Sequence, residues 1–385
     1  MKVVVIGAGV LGAATARSLQ AAGARVTLLE TAQPGSGTSS RGAGLVAEGM
    51  WHKTSLRLVT RSLQILAQLS RSGEGEGHPF WIHETGSTTL LPPALMPAGR
   101  ALARMQRGEG VPVEELQPED ALALPDHTGM RVDDVALALH YPRDGWALPR
   151  VFSEVCAAQA ERAGARLVRG EASLMRGPDG VAVWAEGGRH EADAVVVAAG
   201  VRTRALLRDA GLDAPLLAYR TQALRFESET AHRVPILHDA VQGFYLRPGG
   251  PHELVAGNGT TTTPEDVLRW KDTADDAFVE RTARRLRHRF PGIGGRVADA
   301  WAGIDAATPD RLLLAGAHPE DARVWLLAGG NGHGFMRAPA AGESLAAMLL
   351  GEKPPVDMEA YAPSRFADLS ALFDIREGYS LEGPD

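Results

Sequence analysis

The sequence predicts an α/β protein: a Rossmann-type dinucleotide-binding domain, interrupted by a second α+β domain built on an antiparallel sheet. Three observations predict it. A glycine-rich turn joins an apolar strand to a helix at the start of the chain. The strand–helix alternation then stops near residue 81, resumes at 149, stops again at 216 and resumes over about the last 60 residues. The two intervening stretches read mainly as short alternating strands, the pattern of an antiparallel sheet. At 385 residues the chain has room for two domains or three. The expected division is 1–80, 144–215 and 301–385 for the dinucleotide domain, with 81–143 and 216–300 for a substrate domain.

The elements follow in order. Residues 2–6 (KVVVI) read as a buried parallel strand, 11–22 as a helix stopped by Gly23, and 25–30 (RVTLLE) as a second strand. A glycine- and serine-rich loop occupies 35–44, a helix about 53–70, and a loose segment contains Gly73, Gly75 and Gly77. Short strands at WIHET, STTLLP and ALALHYP flank a charged helical stretch near 97–107. A helix at 149–163 ends at Gly164, and strands follow at 165–169, 181–186 and 193–198. LLAYRTQALRF, GFYLRP and ELVAGN are strands of the second domain, followed by a charged helix at 273–290. The strand VWLLAG and a helix starting near Pro339, where proline suits the first turn, complete the chain.

Composition excludes several classes of function. A net charge of −7 provides no basic field for nucleic acid or an anionic membrane. Cys156 is the only cysteine, so intramolecular disulfides and cysteine metal clusters are ruled out and no metal is expected. The same scarcity predicts a reducing compartment, the cytoplasm. The N-terminal apolar run has only Lys2 as charged lead and carries three glycines, which argues against a signal peptide. No stretch reaches the roughly 18 uninterrupted apolar residues of a membrane span. Lysines number four (Lys2, Lys53, Lys271, Lys353), so chemistry needing a lysine has few candidates.

Gly7, Gly9 and Gly12 form GxGxxG between the first strand and the first helix, and Glu30 ends the second strand 18 residues beyond Gly12. Read alone, the triplet could be a plain glycine turn with an incidental glutamate. In this context each part has a task. Gly7 allows the tight turn, Gly9 lets the backbone approach a pyrophosphate, and Gly12 lets helix and strand pack closely. The helix N-terminus offers free N–H groups and partial positive charge to phosphates. Glu30 can accept hydrogen bonds from ribose hydroxyls. A nicotinamide enzyme normally completes its site soon after the first βαβ unit. Here further glycine clusters lie far along the chain, at 35–44, ADAVVVAAG (192–200) and AGGNGHGFMRAPAAGE (328–343). The last combines a flexible turn with a helix N-terminus, which suits negative charge on a reduced ring system such as a flavin.

These motifs in this order resemble the FAD-dependent oxidoreductases of the D-amino-acid oxidase type, which include glycine oxidase, sarcosine oxidase, D-arginine dehydrogenase and the flavin subunit of proline dehydrogenase. The resemblance rests on VVVIGAGVLG, LLE, GTSSRGAGLV, the DG at 144–145, VVVAAG, FYLRP, WAGIDAATPD and AGGNGHGFMRAP, spanning almost the whole chain. It implies that Gly7, Gly9, Val10, Leu11, Gly12 and Glu30 hold the ADP half of FAD. Ser39, Ser40, Arg41, Ala43, Gly44 and Leu45 would line the pyrophosphate and the flavin edge, with Ala172, Ala199 and Gly200 at the adenosine region. Gly303 and Ile304 would lie by the flavin, and Gly332, His333, Gly334, Phe335 and Met336 would offer backbone N–H groups to its pyrimidine side. The His333 side chain itself reads as packed or hydrogen-bonded. Relatives that bond flavin covalently use a cysteine, which falls at Gly303, or a histidine, which falls at Arg41. Neither nucleophile is present, so the FAD is expected to be non-covalent.

The expected reaction removes a hydride from the carbon next to an amine nitrogen and leaves an imine for water to hydrolyse, with O₂ or a quinone- or dye-type acceptor reoxidising the flavin. The substrate is then a small amine or amino acid. Tyr245 matches the family's carboxylate-binding tyrosine. The family's WAG-x-R arginine is replaced by Asp305, and the lysine after GHGF by Met336. Candidate cations are Arg220, Arg247, Arg337 and Arg41, with Arg220 the foremost because a related segment of D-arginine dehydrogenase carries arginine. Asp305 would either face the substrate, where it disfavours a carboxylate and favours a second cation, or turn to a backbone N–H near Thr308. The alternatives in function are an NAD-dependent dehydrogenase, an FAD-carrying subunit of a multi-protein dehydrogenase, and a catalytically silent flavin scaffold; the assembly is expected to be a homo-oligomer or to include a partner subunit.

Overall fold

The computed structural model describes residues 1–50, 52–76, 78–178, 180–231, 233–258 and 269–370, with backbone only at 74–76. Gly77 and the terminal stretch 371–385, both included in the sequence expectations, lie outside the described residues.

Strand Lys2–Ile6 sits at the centre of a six-stranded sheet, flanked in parallel by Arg25–Glu30 and Ala194–Val197. Arg166–Arg169 extends one side in parallel; on the other side come Asp321–Ala328, parallel, and then Leu314–His318, antiparallel, at the edge. The continuous apolar run of Lys2–Ile6 follows from burial on both faces. Val3 and Val5 join one core and Val4 and Ile6 the other, because successive strand side chains point to opposite faces. Helices Val10–Ala21, Pro149–Arg162 and Gly334–Leu349 cover the first face. A three-stranded meander, Ser173–Gly177, Gly180–Ala185 and Gly188–Ala192, covers the second.

The second layer is an eight-stranded sheet, in the order Gly295–Ala307, Leu217–Ser228, Glu253–Gly257, Phe244–Gly250, Ile236–Asp239, Ser87–Leu91, Leu137–Tyr141 and Glu114–Leu116. Its neighbours pair antiparallel except Ile236–Asp239 with Ser87–Leu91. Helix Asp276–Arg289 closes its core from the far side, through Phe278 and Leu286. Strand Gly295–Ala307 pairs with Leu217–Ser228 from end to end, so this sheet runs through the boundary expected at 301.

Two helices differ from the sequence reading. The helix expected to stop near 70 continues as Lys53–Glu76, through Gly73 and Gly75. Glycine lowers helix propensity by only about 1 kcal/mol, too little to terminate a long helix by itself. The last helix begins at Gly334, with Pro339 inside it, rather than at the proline. Its free first-turn N–H groups therefore belong to Gly334, Phe335 and Met336, within the GHGFM segment itself.

Candidate active site and cofactor cradle

The carboxyl ends of Lys2–Ile6, Arg25–Glu30 and Ala194–Val197 open into a cavity of about 1250 Å³ that continues to the inner face of the eight-stranded sheet. Small-molecule pockets commonly measure about 300–1,000 Å³, so this cavity suits a dinucleotide and a substrate together. It lies where ligands bind in parallel α/β sheets, outside the carboxyl ends of the strands.

The glycine triplet shapes the outer end. Gly7 has φ +101°, and a Cβ there would lie 2.5 Å from the Ala198 carbonyl oxygen. A Cβ on Gly12 would fall 1.9 Å from the Gly7 carbonyl oxygen. Gly12 thus packs helix on turn and does not line the cavity, whereas Gly7, Gly9, Val10 and Leu11 do. Ser39 Oγ accepts the Val10 N–H at 3.1 Å, which ties the 38–41 turn to the helix start. Glu30 lines the cavity, with its Oε2 accepting the Ala8 N–H at 2.8 Å and its Oε1 the Ala32 N–H at 3.1 Å. Ala172, Ala199 and Gly200 lie along the same end.

Further in, Arg41, Ala43, Gly44 and Leu45 form one wall, Gly303 and Ile304 another, and Gly332 to Met336 a third. Neither Val10–Ala21 nor Gly334–Leu349 has an acidic residue in its first turn, so both positive helix ends remain open to an anion. His333 donates from Nδ1 to the Asn331 carbonyl at 2.8 Å, and burial lowers its pKa to about 3, with Arg337 adding to the shift. Its ring is neutral.

Four expected residues stand elsewhere or act otherwise. Ser40 does not line the cavity; its Oγ donates to the Ser36 and Gly37 carbonyls, both at 2.8 Å, as a short 3₁₀ turn allows. Arg220 is buried outside the cavity: it donates to the Lys271 carbonyl at 2.8 Å and pairs with Asp275 at 2.9 Å. Arg247, on the same strand face as Tyr245, does not line the cavity either. It donates to the Ala43 and Pro248 carbonyls and stacks on Trp146 at 4.2 Å. Strand alternation explains Arg220, which points to the side opposite Tyr219 and Thr221. Asp305 does line the cavity, but not as a free carboxylate. Oδ2 accepts Gly332 N–H at 2.8 Å and Tyr219 Oη at 3.2 Å, and Oδ1 accepts Ala306 N–H at 2.8 Å. Its backbone partners are Ala306, two residues before Thr308, and Gly332. Burial raises its pKa despite these donors.

The family description "FAD dependent oxidoreductase" (DAO) matches residues 2–348. The chain belongs to this family. This oxidoreductase is 27% identical over 369 residues to the glycine oxidase of Bacillus licheniformis, covering 92% of this chain and 94% of that protein. The crystal structure of L-proline dehydrogenase from P. horikoshii superposes with a TM-score of 0.86 at 26% identity, over 95% of this chain and 97% of that one. Glycine oxidase from Geobacillus kaustophilus shares the fold, with a TM-score of 0.83 at 23% identity over 95% and 99%.

FAD is the family's cofactor, and the cavity fits it. A tight turn whose approach to the Ala198 backbone leaves no room for a Cβ at Gly7, a strand-end carboxylate and two open helix N-termini answer the needs of a dinucleotide. Among the described residues no group of three or more His, Cys, Asp or Glu could hold a metal, and no helix is long and apolar enough to cross a membrane.

The motifs missed much of the inner end. Tyr219, His238, Trp270 and Trp301 line it alongside Tyr245. The alternation of LLAYRTQALRF carried a signal for Tyr219, since Tyr219, Thr221 and Ala223 all face the cavity. Trp270 had none. It is placed by Arg41, whose guanidinium lies 5.4 Å from the Trp270 ring and bonds the Asp272 carbonyl at 3.3 Å, and by Arg220, which holds the next residues of the segment. Two arginines considered as substrate clamps thus hold one wall of the site.

Proposed function

We propose that this oxidoreductase oxidises the C–N bond of an amino acid, or of a secondary or tertiary amine, to an imine that water then hydrolyses. FAD, when bound, would supply the two-electron acceptor for the hydride leaving the carbon next to nitrogen. The observation that carries the reading is the continuity of the cavity, from the glycine cradle to a buried end walled by Tyr219, Tyr245, Trp270 and Trp301. Such walls exclude water and orient a small substrate. The Tyr245 hydroxyl, its pKa pushed up to about 12 by burial, stays protonated and can donate to a substrate acceptor. Asp305 fixes the 330–332 turn, and with it the start of the helix whose first-turn N–H groups border the cavity. The names of the relatives, glycine oxidase and L-proline dehydrogenase, support an amino-acid or amine substrate.

The test is an anaerobic screen of amino acids and N-alkyl amines against the purified yellow protein. Bleaching of the flavin by an amine, with release of the matching carbonyl product, is the expected result. Failure of every amine to bleach it would favour a silent scaffold. Acid precipitation of the same sample should leave all the FAD in the supernatant, because Gly303 and Arg41 offer no nucleophile for a covalent link.

A further inference from the structure

The sheet places a second polar group beside Tyr245. Across five adjacent strands, Trp301 lies opposite Ala223, Ala223 opposite Gly257, Gly257 opposite Tyr245, and Tyr245 opposite His238. Residues directly opposite share a face, and all of this row but Gly257 line the cavity. Gly257 is where the Tyr245 ring lies: a Cβ there would stand 2.3 Å from Tyr245 Oη. Tyr245 and His238 therefore end the row on adjacent strands of one face, with the tyrosine ring leaning over Gly257.

Neither side chain makes a hydrogen bond among the described residues. His238 Nε2 is buried, so Nδ1 is the nitrogen left to reach the cavity. Burial lowers the pKa of the ring to about 4, so it is neutral and carries one N–H. An orphaned buried N–H is costlier than an orphaned lone pair, which puts the proton on Nδ1. Tyr245 also feels a positive charge, which favours its ionised form against the effect of burial. Arg247, two residues on from Tyr245, is only 6% exposed, donates to two carbonyls, and has no carboxylate partner among the described residues. A buried cation without a counter-ion favours an anion nearby.

We infer that His238 is a substrate-contacting specificity residue: from adjacent strands of the cavity wall, its Nδ1–H and the Tyr245 hydroxyl both donate to a carboxylate of the substrate. The inference rests on the amine-oxidation reading only in calling that ligand a substrate. Two neutral donors backed by the Arg247 charge then do the work for which an arginine clamp was expected at Asp305.

Titration of the oxidised holoenzyme with benzoate tests this, read from the flavin absorption band, with benzamide as the neutral control. No turnover is needed, so the result stands apart from whether any amine bleaches the flavin. Wild type should bind benzoate more tightly than benzamide. His238→Leu should weaken benzoate at least tenfold while leaving benzamide within twofold. His238→Asn, which can present an amide N–H in place of Nδ1, should recover benzoate to within threefold of wild type. Should the leucine variant lose FAD, His238→Met takes its place. Unchanged benzoate affinity without the imidazole, equal weakening of both ligands, no recovery with asparagine, or no benzoate binding by wild type would each overturn the inference.

Discussion

Asp305→Asn perturbs the joint between the two sheets of the site. The native carboxylate accepts Gly332 N–H and Tyr219 Oη on one oxygen and Ala306 N–H on the other, at 2.8, 3.2 and 2.8 Å. Asparagine has one oxygen and one NH₂. Whichever way it turns, its NH₂ faces a backbone N–H across a hydrogen-bonding distance. At least one bond to a charged acceptor is lost, worth roughly 1.5–3 kcal/mol, and a buried donor is left unpaired. Gly332 lies in the turn that leads into helix Gly334–Leu349, so the loss falls on a wall of the cofactor cavity. About 1.4 kcal/mol is a factor of ten, so even the lower figure raises the FAD dissociation constant at least tenfold. Fluorescence titration of the apoprotein with FAD measures it. The wild type should also lose affinity on acidification earlier than an ordinary carboxylate would dictate, because burial raises the Asp305 pKa and the protonated group accepts less well. The asparagine variant should lack that step. A dissociation constant within twofold of wild type, with the same pH profile, would refute the reasoning.

Glu30→Ala removes a carboxylate that faces the cavity and holds the Ala8 and Ala32 N–H groups, so FAD retention on gel filtration should fall at least tenfold; full retention would take Glu30 off the ribose. Among the described residues no lysine lines the cavity to stabilise negative charge on reduced oxygen, so reduced enzyme should reoxidise more slowly with oxygen than with a quinone or dye in stopped-flow mixing. Oxygen outpacing every artificial acceptor would reverse that. Asp144, fully buried with Glu48 N–H at 2.8 Å, has its pKa pushed up to about 8 by burial. Its folded form keeps a proton that the unfolded chain releases above the ordinary carboxylate range, so its contribution to stability declines as pH rises from about 4 to 8. Thermal melts should then show Asp144→Asn gaining on wild type between pH 5 and pH 8, and parallel curves would count against it.

Local rules were enough for the cofactor end. Gly7, Gly9, Gly12 and Glu30 act through backbone clearance and position at strand and helix ends, which neighbours in sequence determine, and the cavity contains or rests on all four. The strand at 2–6 was equally legible, because a strand buried on both faces must be apolar throughout. The substrate end was not legible in this way. An arginine in a strand can turn to either face and reach a carbonyl far along the chain, so Arg220 and Arg247 could not be assigned without their partners at Lys271 and Ala43. The start of the last helix also depended on context: Pro339 is a good first-turn residue by itself, yet packing carries the helix back to Gly334. His238 shows the limit most clearly. Nothing near it in sequence marks it, and only the register of four strand pairings sets it beside Tyr245 on the cavity wall. The sequence by itself determined the dinucleotide cradle and the family. Only the tertiary structure decided which side chains face the cavity, because cross-strand register is a long-range property that no local window of residues contains.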